Sequence, residues 1–118
     1  RMRALGCVRY QLSLDGATAA AHDLFRKPAS FDETLRAAGC IKRSGMWLAL
    51  MSTVSSMNAA ELPDMISLAA RIGADVFAFG RYCPTKGQRL EKCDRRKLRG
   101  WCRGCPAVAA GYTGNRYP

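Results

Sequence analysis

The stretch Met46-Trp-Leu-Ala-Leu-Met-Ser-Thr-Val54 is a nearly unbroken apolar run of strand length. Strands that are covered on both faces have this composition, as they do in parallel sheets. Upstream, Val8-Arg-Tyr-Gln-Leu-Ser-Leu14 alternates apolar and polar residues, which is typical of a strand with one buried face. Downstream, Asp75-Val-Phe-Ala-Phe79 is a short, mostly apolar segment after Gly73 and predicts a third strand.

In the segments between these strands, apolar residues recur at helical spacing. Ser30-Phe-Asp-Glu33 matches a capping box, and apolar residues at helical spacing follow it, which predicts a helix over 31–43. A shorter alanine-rich helix is predicted over 17–25. Asn58 is a suitable N-cap for a last helix that ends at Gly73. The order β-α-β-α-β predicts an α/β fold with a parallel sheet.

The chain has 118 residues, of which 19 are Lys or Arg and 9 are Asp or Glu, so its formal net charge is +10 at pH 7. This length allows one globular unit. Residues 1–80 carry 9 basic and 7 acidic side chains, whereas residues 81–118 carry 10 and 2. The periodicity ends after Gly80, and the remainder is basic, irregular and rich in cysteine. A solvated basic face and an anionic partner such as nucleic acid both fit this tail.

Six cysteines stand at positions 7, 40, 83, 93, 102 and 105. The ordinary α/β sequence of the first 80 residues argues against a secreted disulfide scaffold. Cys93, Cys102 and Cys105 fit an iron–sulfur site, a zinc site or free thiols, because Cys-x2-Cys is common to all three. The sequence has no run of about 18 apolar residues and no signal-peptide pattern. We therefore expect a cytoplasmic protein with no membrane partner.

Polar side chains follow each predicted strand. Because the carboxyl ends of parallel strands meet at one edge of a sheet, this edge is where α/β proteins bind ligands. The residues there are Ser13, Asp15, Thr53, Ser55, Gly80 and Arg81. Turn formation and ligand binding both explain them. His22, the only histidine, is expected to pack against or cap a helix rather than to act in catalysis.

Several motifs, taken in order, resemble those of radical S-adenosylmethionine enzymes. Tyr10-Gln-Leu-Ser-Leu-Asp-Gly16 is similar to the SLDG strand end of that superfamily. His22-Asp-Leu-Phe-Arg26, followed by Ser30-Phe-Asp32, is similar to its HDxxR and SFD continuation. Thr53-Val-Ser55 with Asn58 is similar to the next strand and helix.

The C-terminal part carries a second resemblance. The stretch from Cys102 to Gly114 resembles the end of a SPASM domain. Together with Phe79-Gly-Arg-Tyr-Cys-Pro-Thr85, it is similar to maturases of cysteine-containing ribosomal peptides, of the ACGX and thioether-forming kinds. The resemblance covers residues 8–85 and 93–115.

This resemblance implies a partial (β/α) barrel that binds S-adenosylmethionine and a [4Fe-4S] cluster. It implies modification of a ribosomally made peptide through a 5′-deoxyadenosyl radical. Ser13 and Asp15 would lie near the ribose and the carboxylate of S-adenosylmethionine, and Arg26 would pair with the methionine carboxylate. Thr53 and Ser55 would share this cofactor-binding edge. By the same resemblance, the metal ligands would be Cys93, Cys102 and Cys105.

Two features depart from the family pattern. The CxxxCxxC motif is absent, and Cys7 and Cys40 are too far apart to replace it. Arg96 stands where the tail pattern has a cysteine, so three thiolates would need an outside ligand. We therefore expect the second half of a barrel over residues 1–85 and a truncated SPASM-like tail over 86–118. At the junction near Lys86, either a deletion joins the end of the barrel to the end of the SPASM-like tail, or the chain is a degraded copy of the family.

A protein of this kind is expected to need a missing N-terminal half and to be inactive alone. Two alternatives remain open at this point. One is a basic, cysteine-rich module that binds nucleic acid, for which no recognised nucleic-acid-binding fold is found. The other is a nonfunctional gene remnant.

Overall fold

Three parallel strands and three α-helices form this computed structural model, which describes residues 3–83 and Arg96. The strands are β1 (Arg9–Ser13), β2 (Trp47–Val54) and β3 (Val76–Arg81). The α-helices are α1 (Ala19–Phe25), α2 (Ser30–Arg43) and α3 (Leu62–Ile72). Short 3-10 turns occupy Arg3–Leu5 and Ala59–Glu61. The predicted elements are confirmed, and their ends differ from the predicted ones by up to four residues.

The sheet has the order β1-β2-β3, and both strand pairs are parallel. Leu50 at the centre of β2 pairs with Leu12 of β1 and with Phe77 of β3. The α/β class and the parallel arrangement predicted from the sequence are therefore confirmed. The carboxyl ends of all three strands lie at the same edge, which we call the rim. The rim comprises the chain segments that leave β1, β2 and β3.

The helices pack on one face of the sheet. Leu48, Leu50 and Val54 alternate along β2 and are fully buried in a core shared with Phe31 of α2 and Met65 of α3. The intervening residues of β2 lie on the other face, where Trp47 is 37% exposed and stacks under the guanidinium of Arg9 at 5.4 Å. Within the described residues, β2 is thus covered on one face, whereas its apolar run predicted cover on both. We call the second side the open face.

The predicted capping box at Ser30 does not form. Helix α2 begins one residue earlier than expected, after Ala29, whose φ is 65°. The carboxylate of Asp23 accepts hydrogen bonds from the backbone N–H of Ala29 at 2.8 Å, the backbone N–H of Phe31 at 2.9 Å and the hydroxyl of Ser30 at 3.0 Å. A charged acceptor suits the positive end of a helix better than a neutral hydroxyl does. Glu33 instead forms an ion pair with Lys27.

The pKa of Asp23 reflects this capping role. Burial acts to raise that pKa, but the hydrogen bonds from Phe31, Ser30 and Ala29 outweigh it and hold the pKa below its usual value. Asp23 belongs to α1, so one side chain joins the two helices between β1 and β2.

The opposite end of the sheet is held by Asp75. Its Oδ2 accepts from Lys42 Nζ at 2.7 Å and from the backbone N–H of Leu48 at 2.8 Å, which ties α2 and β2 to the start of β3. Helix α3 ends just before, at Gly73, whose φ is 77° and whose N–H caps the helix. That helix end was predicted from the glycine.

The cysteine-rich tail over 86–118, its boundary near Lys86 and the three candidate metal ligands Cys93, Cys102 and Cys105 lie outside the described residues, apart from Arg96. The division of the chain at residue 85 stays a prediction. In the described part of the chain, no helix has the length and apolar character needed to cross a membrane.

Candidate functional site

Asp15 lies at the centre of the rim, directly after β1. Its Oδ2 accepts from Arg26 Nε at 2.7 Å, and its Oδ1 accepts from the backbone N–H of Thr53 at 2.8 Å. The residue is 2% exposed, so both carboxylate oxygens are engaged inside the protein. One carboxylate therefore connects the ends of β1, α1 and β2.

Asn58 is the second residue whose side chain connects the segments of the rim. Its Nδ2 donates to the backbone oxygens of Asp15 at 2.8 Å and Thr53 at 3.0 Å, and its Oδ1 accepts from the backbone N–H of Ser55 at 2.8 Å. The side chain is buried and makes no capping hydrogen bond to the turn that follows. The predicted N-cap role of Asn58 is wrong, because its amide is used to join the segments after β1 and β2.

His22 contacts the same segment from α1. Its Nδ1 accepts from the backbone N–H of Asp15 at 3.1 Å, and its ring centroid lies 5.7 Å from that of Phe31. The residue is 1% exposed. Burial lowers the pKa of His22 below its usual value; the carboxylates of Asp15 and Asp23 act to raise it, and Arg26 acts to lower it. The imidazole is therefore neutral at pH 7.

Gly16 allows this close approach. A Cβ at Gly16 would lie 2.5 Å from the backbone nitrogen of His22 and 2.7 Å from Cβ of Ala21. The chain therefore leaves β1 in direct contact with the backbone of α1. One residue later, the N–H of Ala17 donates to Glu61 Oε2 at 2.8 Å, which ties the same segment to the turn before α3.

Ser13 and Thr53 lie on the open face. Each alternates with core residues of its own strand, since Leu14 and Val54 are fully buried. Thr53 pairs with Gly80 of β3 across the sheet. Toward the other end of the strands, the open face forms a groove of about 430 Å³. Its lining includes Arg9, Gln11, Trp47, Ala49, Met51 and Ala78.

Arg26 and Ser55 occupy different surroundings. The side chain of Arg26 is 43% exposed, so it can meet a ligand while it holds Asp15. Ser55 is 1% exposed, and its Oγ accepts from the backbone N–H of Met57 at 3.2 Å, as in a serine turn. Hydrogen bonds thus bring Asp15, Arg26 and Thr53 together, and Asn58 adds Ser55. Direct ligand contact by these residues stays a prediction.

The rim fits S-adenosylmethionine by its chemistry. Hydroxyls suit the ribose, and a partly exposed guanidinium suits a carboxylate. A [4Fe-4S] cluster has no such fit here. In the described residues, no group of three or more His, Cys, Asp or Glu side chains is placed to hold a metal ion, and Cys7, Cys40 and Cys83 are free thiols.

Known proteins match this chain over most of its length. An AdoMet-dependent heme synthase of Nitratidesulfovibrio vulgaris is 35% identical over 86 residues, which are 72% of this chain and 23% of that protein. A second AdoMet-dependent heme synthase, from Methanosarcina barkeri, is 33% identical over 72% of this chain and 25% of its own length. The mycofactocin maturase MftC of Mycobacterium ulcerans is 40% identical over 75 residues, which are 63% of this chain and 20% of the maturase.

No family model matches the chain. The aligned segment spans about a quarter or less of each of these curated relatives. The relatives are radical S-adenosylmethionine enzymes. The resemblance predicted from the motifs is therefore confirmed: this chain is homologous to radical S-adenosylmethionine enzymes and corresponds to a part of them.

Proposed function

We propose that this chain supplies the S-adenosylmethionine-binding rim of a radical enzyme that modifies a ribosomally made peptide. The observation that carries the proposal is the Asp15 carboxylate, which holds Arg26 and the backbone of Thr53 at the edge where parallel sheets bind ligands. When bound, S-adenosylmethionine and a reduced [4Fe-4S] cluster supply a 5′-deoxyadenosyl radical. The ligands of the radical-generating cluster would come from polypeptide outside this chain.

Each rim residue has a part in this proposal. The hydroxyls of Ser13 and Thr53 lie on the open face and would bind the ribose. The guanidinium of Arg26 would pair with the methionine carboxylate in a fork geometry. Asp15 and Ser55 are almost fully buried, so they would orient the binding groups rather than touch the ligand themselves.

A peptide substrate is supported by the maturase MftC among the relatives. A tetrapyrrole substrate is a second candidate, because the relatives named heme synthase align with 86 residues of the chain rather than 75. For Cys93, Cys102 and Cys105 we propose an auxiliary cluster that is completed by an outside ligand. A cytoplasmic location suits such thiolate chemistry.

Replacing Arg26 tests the rim. We expect Arg26→Met to weaken S-adenosylmethionine binding by about tenfold to a hundredfold, since a hydrogen bond to a charged group is worth about 1.5–3 kcal/mol. The matched control is Arg36→Met, which removes an exposed arginine of α2 whose Nε lies 3.4 Å from the backbone oxygen of Asp32. Amide chemical shifts of the 118-residue chain, titrated with S-adenosylmethionine, give both affinities. Equal affinities for the two variants, or shifts that avoid Ser13 and Thr53, would contradict the proposal.

Cofactor cleavage gives a separate prediction. After anaerobic reconstitution with iron and sulfide, we expect the 118-residue chain to release no 5′-deoxyadenosine, because its sequence lacks the CxxxCxxC motif. Liquid chromatography with mass detection measures this product against a blank without protein. Product above the blank would show that other thiolates of this chain can hold the radical-generating cluster.

A further inference from the structure

Among the residues that the structure describes, His22 is the one titratable side chain that hydrogen-bonds to the main chain of Asp15. The hydrogen bond runs from the Asp15 N–H to His22 Nδ1, so the imidazole must offer a lone pair at Nδ1. A protonated imidazole has N–H groups at both positions and cannot accept. The bond therefore exists only with a neutral ring whose proton is on Nε2.

The surroundings of His22 make its protonation a large change. Asp15 faces the ring from the end of β1, Asp23 and Arg26 act on it from α1 and its end, and the uncharged ring of Phe31 packs on it from α2. A second proton at Nδ1 would repel the Asp15 N–H and attract the carboxylates. Because Asp15 Oδ2 and Oδ1 hold Arg26 and Thr53, any movement of Asp15 reaches both.

We propose that His22 is a positioning residue whose neutral imidazole fixes the main chain of Asp15 and, through it, Arg26 and Thr53. The rim takes the geometry described above only while His22 is uncharged. Gly16 supports this assignment independently, because the close approach of that segment to α1 leaves no room for a Cβ and brings the Asp15 N–H to the ring. The consequence for ligand binding rests on the proposed function; the conformational part does not.

The sign of the pH effect follows from burial. Burial lowers the pKa of His22 in the folded chain below its usual 6.5, so the unfolded chain binds more protons in the interval between the two values. The contribution of His22 to stability is complete above about pH 6.5 and is lost progressively as the pH falls toward the pKa of His22 in the folded chain. The rim geometry itself is lost as the pH falls through that folded-state pKa.

The experiment follows His22 and the rim in the same sample. The 118-residue chain, labelled with ¹⁵N, is titrated from pH 7.5 downward while the His22 ring and the amides of Asp15 and Thr53 are monitored. We expect all three to shift with one midpoint. One pH unit below it, about a tenth of the molecules keep a neutral His22, so the apparent Kd for S-adenosylmethionine rises about tenfold.

Two variants separate positioning from packing. In His22→Asn, the amide oxygen can replace Nδ1 as the acceptor but does not titrate, so the pH dependence of the Thr53 amide and of binding should disappear. His22→Leu keeps an apolar side chain without an acceptor, so it should shift the Asp15 amide at every pH. If either variant fails to fold, the wild-type titration still tests the positioning role, through the agreement of the midpoints of His22, the Asp15 amide and the Thr53 amide.

The outcomes are distinct. If His22 titrates while the Thr53 amide and Arg26 Nε–H stay unchanged, or if His22→Asn keeps the wild-type pH profile, the positioning role is wrong. If the three midpoints coincide but S-adenosylmethionine shifts no rim amide at any pH, the positioning role stands and the proposed function fails.

Discussion

Asn58→Ala is expected to remove about 3 kcal/mol or more from the free energy of unfolding. Three buried or partly buried backbone groups lose their partner: the N–H of Ser55 and the carbonyls of Asp15 and Thr53. Each unsatisfied buried group costs about 1–3 kcal/mol. Because a whole domain is stable by only about 5–15 kcal/mol, this single change removes a large fraction of the total.

Urea denaturation followed by circular dichroism measures this loss. The matched control is Ser67→Ala, which removes an exposed hydroxyl whose Oγ donates to the Pro63 oxygen at 2.9 Å on α3. That variant should stay within about 0.5 kcal/mol of wild type. Similar losses for the two variants would mean that Asn58 does not hold the rim.

Gly16→Ala is the second substitution with a large expected effect. The new Cβ would lie 2.5 Å from the backbone nitrogen of His22, and a helix backbone cannot move aside as a side-chain end can. Overpacking of this kind costs about 1–3 kcal/mol, and here it also pushes the Asp15 N–H away from His22. We therefore expect a loss of stability near the upper end of that range and a shifted Asp15 amide resonance.

Gly39→Ala is the control for this prediction and should change stability in the opposite direction. Gly39 lies in α2, and its nearest neighbour would be the flexible Arg43 guanidinium at 3.1 Å. Alanine is favoured over glycine inside a helix by about 1 kcal/mol. The melting temperatures of the two variants give the comparison. A Gly16→Ala protein as stable as wild type would show that β1 and α1 can separate without cost.

Local patterns predicted the architecture well, because they reflect forces that act over a few residues. The apolar run ending at Val54 and the alternation around Leu12 identified two strands, and Gly73 identified a helix end by its left-handed backbone. Parallel pairing followed from the order of the elements. Trp47 shows the limit of such patterns, since an apolar side chain in a strand does not reveal which face the rest of the fold covers.

The sequence predicted where the rim lies but not which hydrogen bonds connect its residues. Ser13, Asp15 and Thr53 follow from the rule that parallel strands end at one edge. The pairing of Asp15 with Arg26 depends on where α1 ends, and the bonds of Asn58 reach a residue 43 positions away. A four-residue capping motif has the same sequence whether its side chain hydrogen-bonds to the adjacent helix or to a distant segment, so the sequence alone does not distinguish the two. The capping box predicted at Ser30 was wrong for the same reason, because the start of α2 is capped by Asp23 of α1.

The capping of α2 by Asp23 has a consequence for how this region opens. The start of α2 is hydrogen-bonded to a side chain of α1, across the segment that contains Pro28. Fraying of α1 would therefore expose the first N–H groups of α2 to solvent, and we expect the two helices to open together in local unfolding. The crossover between β1 and β2 is then expected to act as a single foldon, in spite of the proline that divides it.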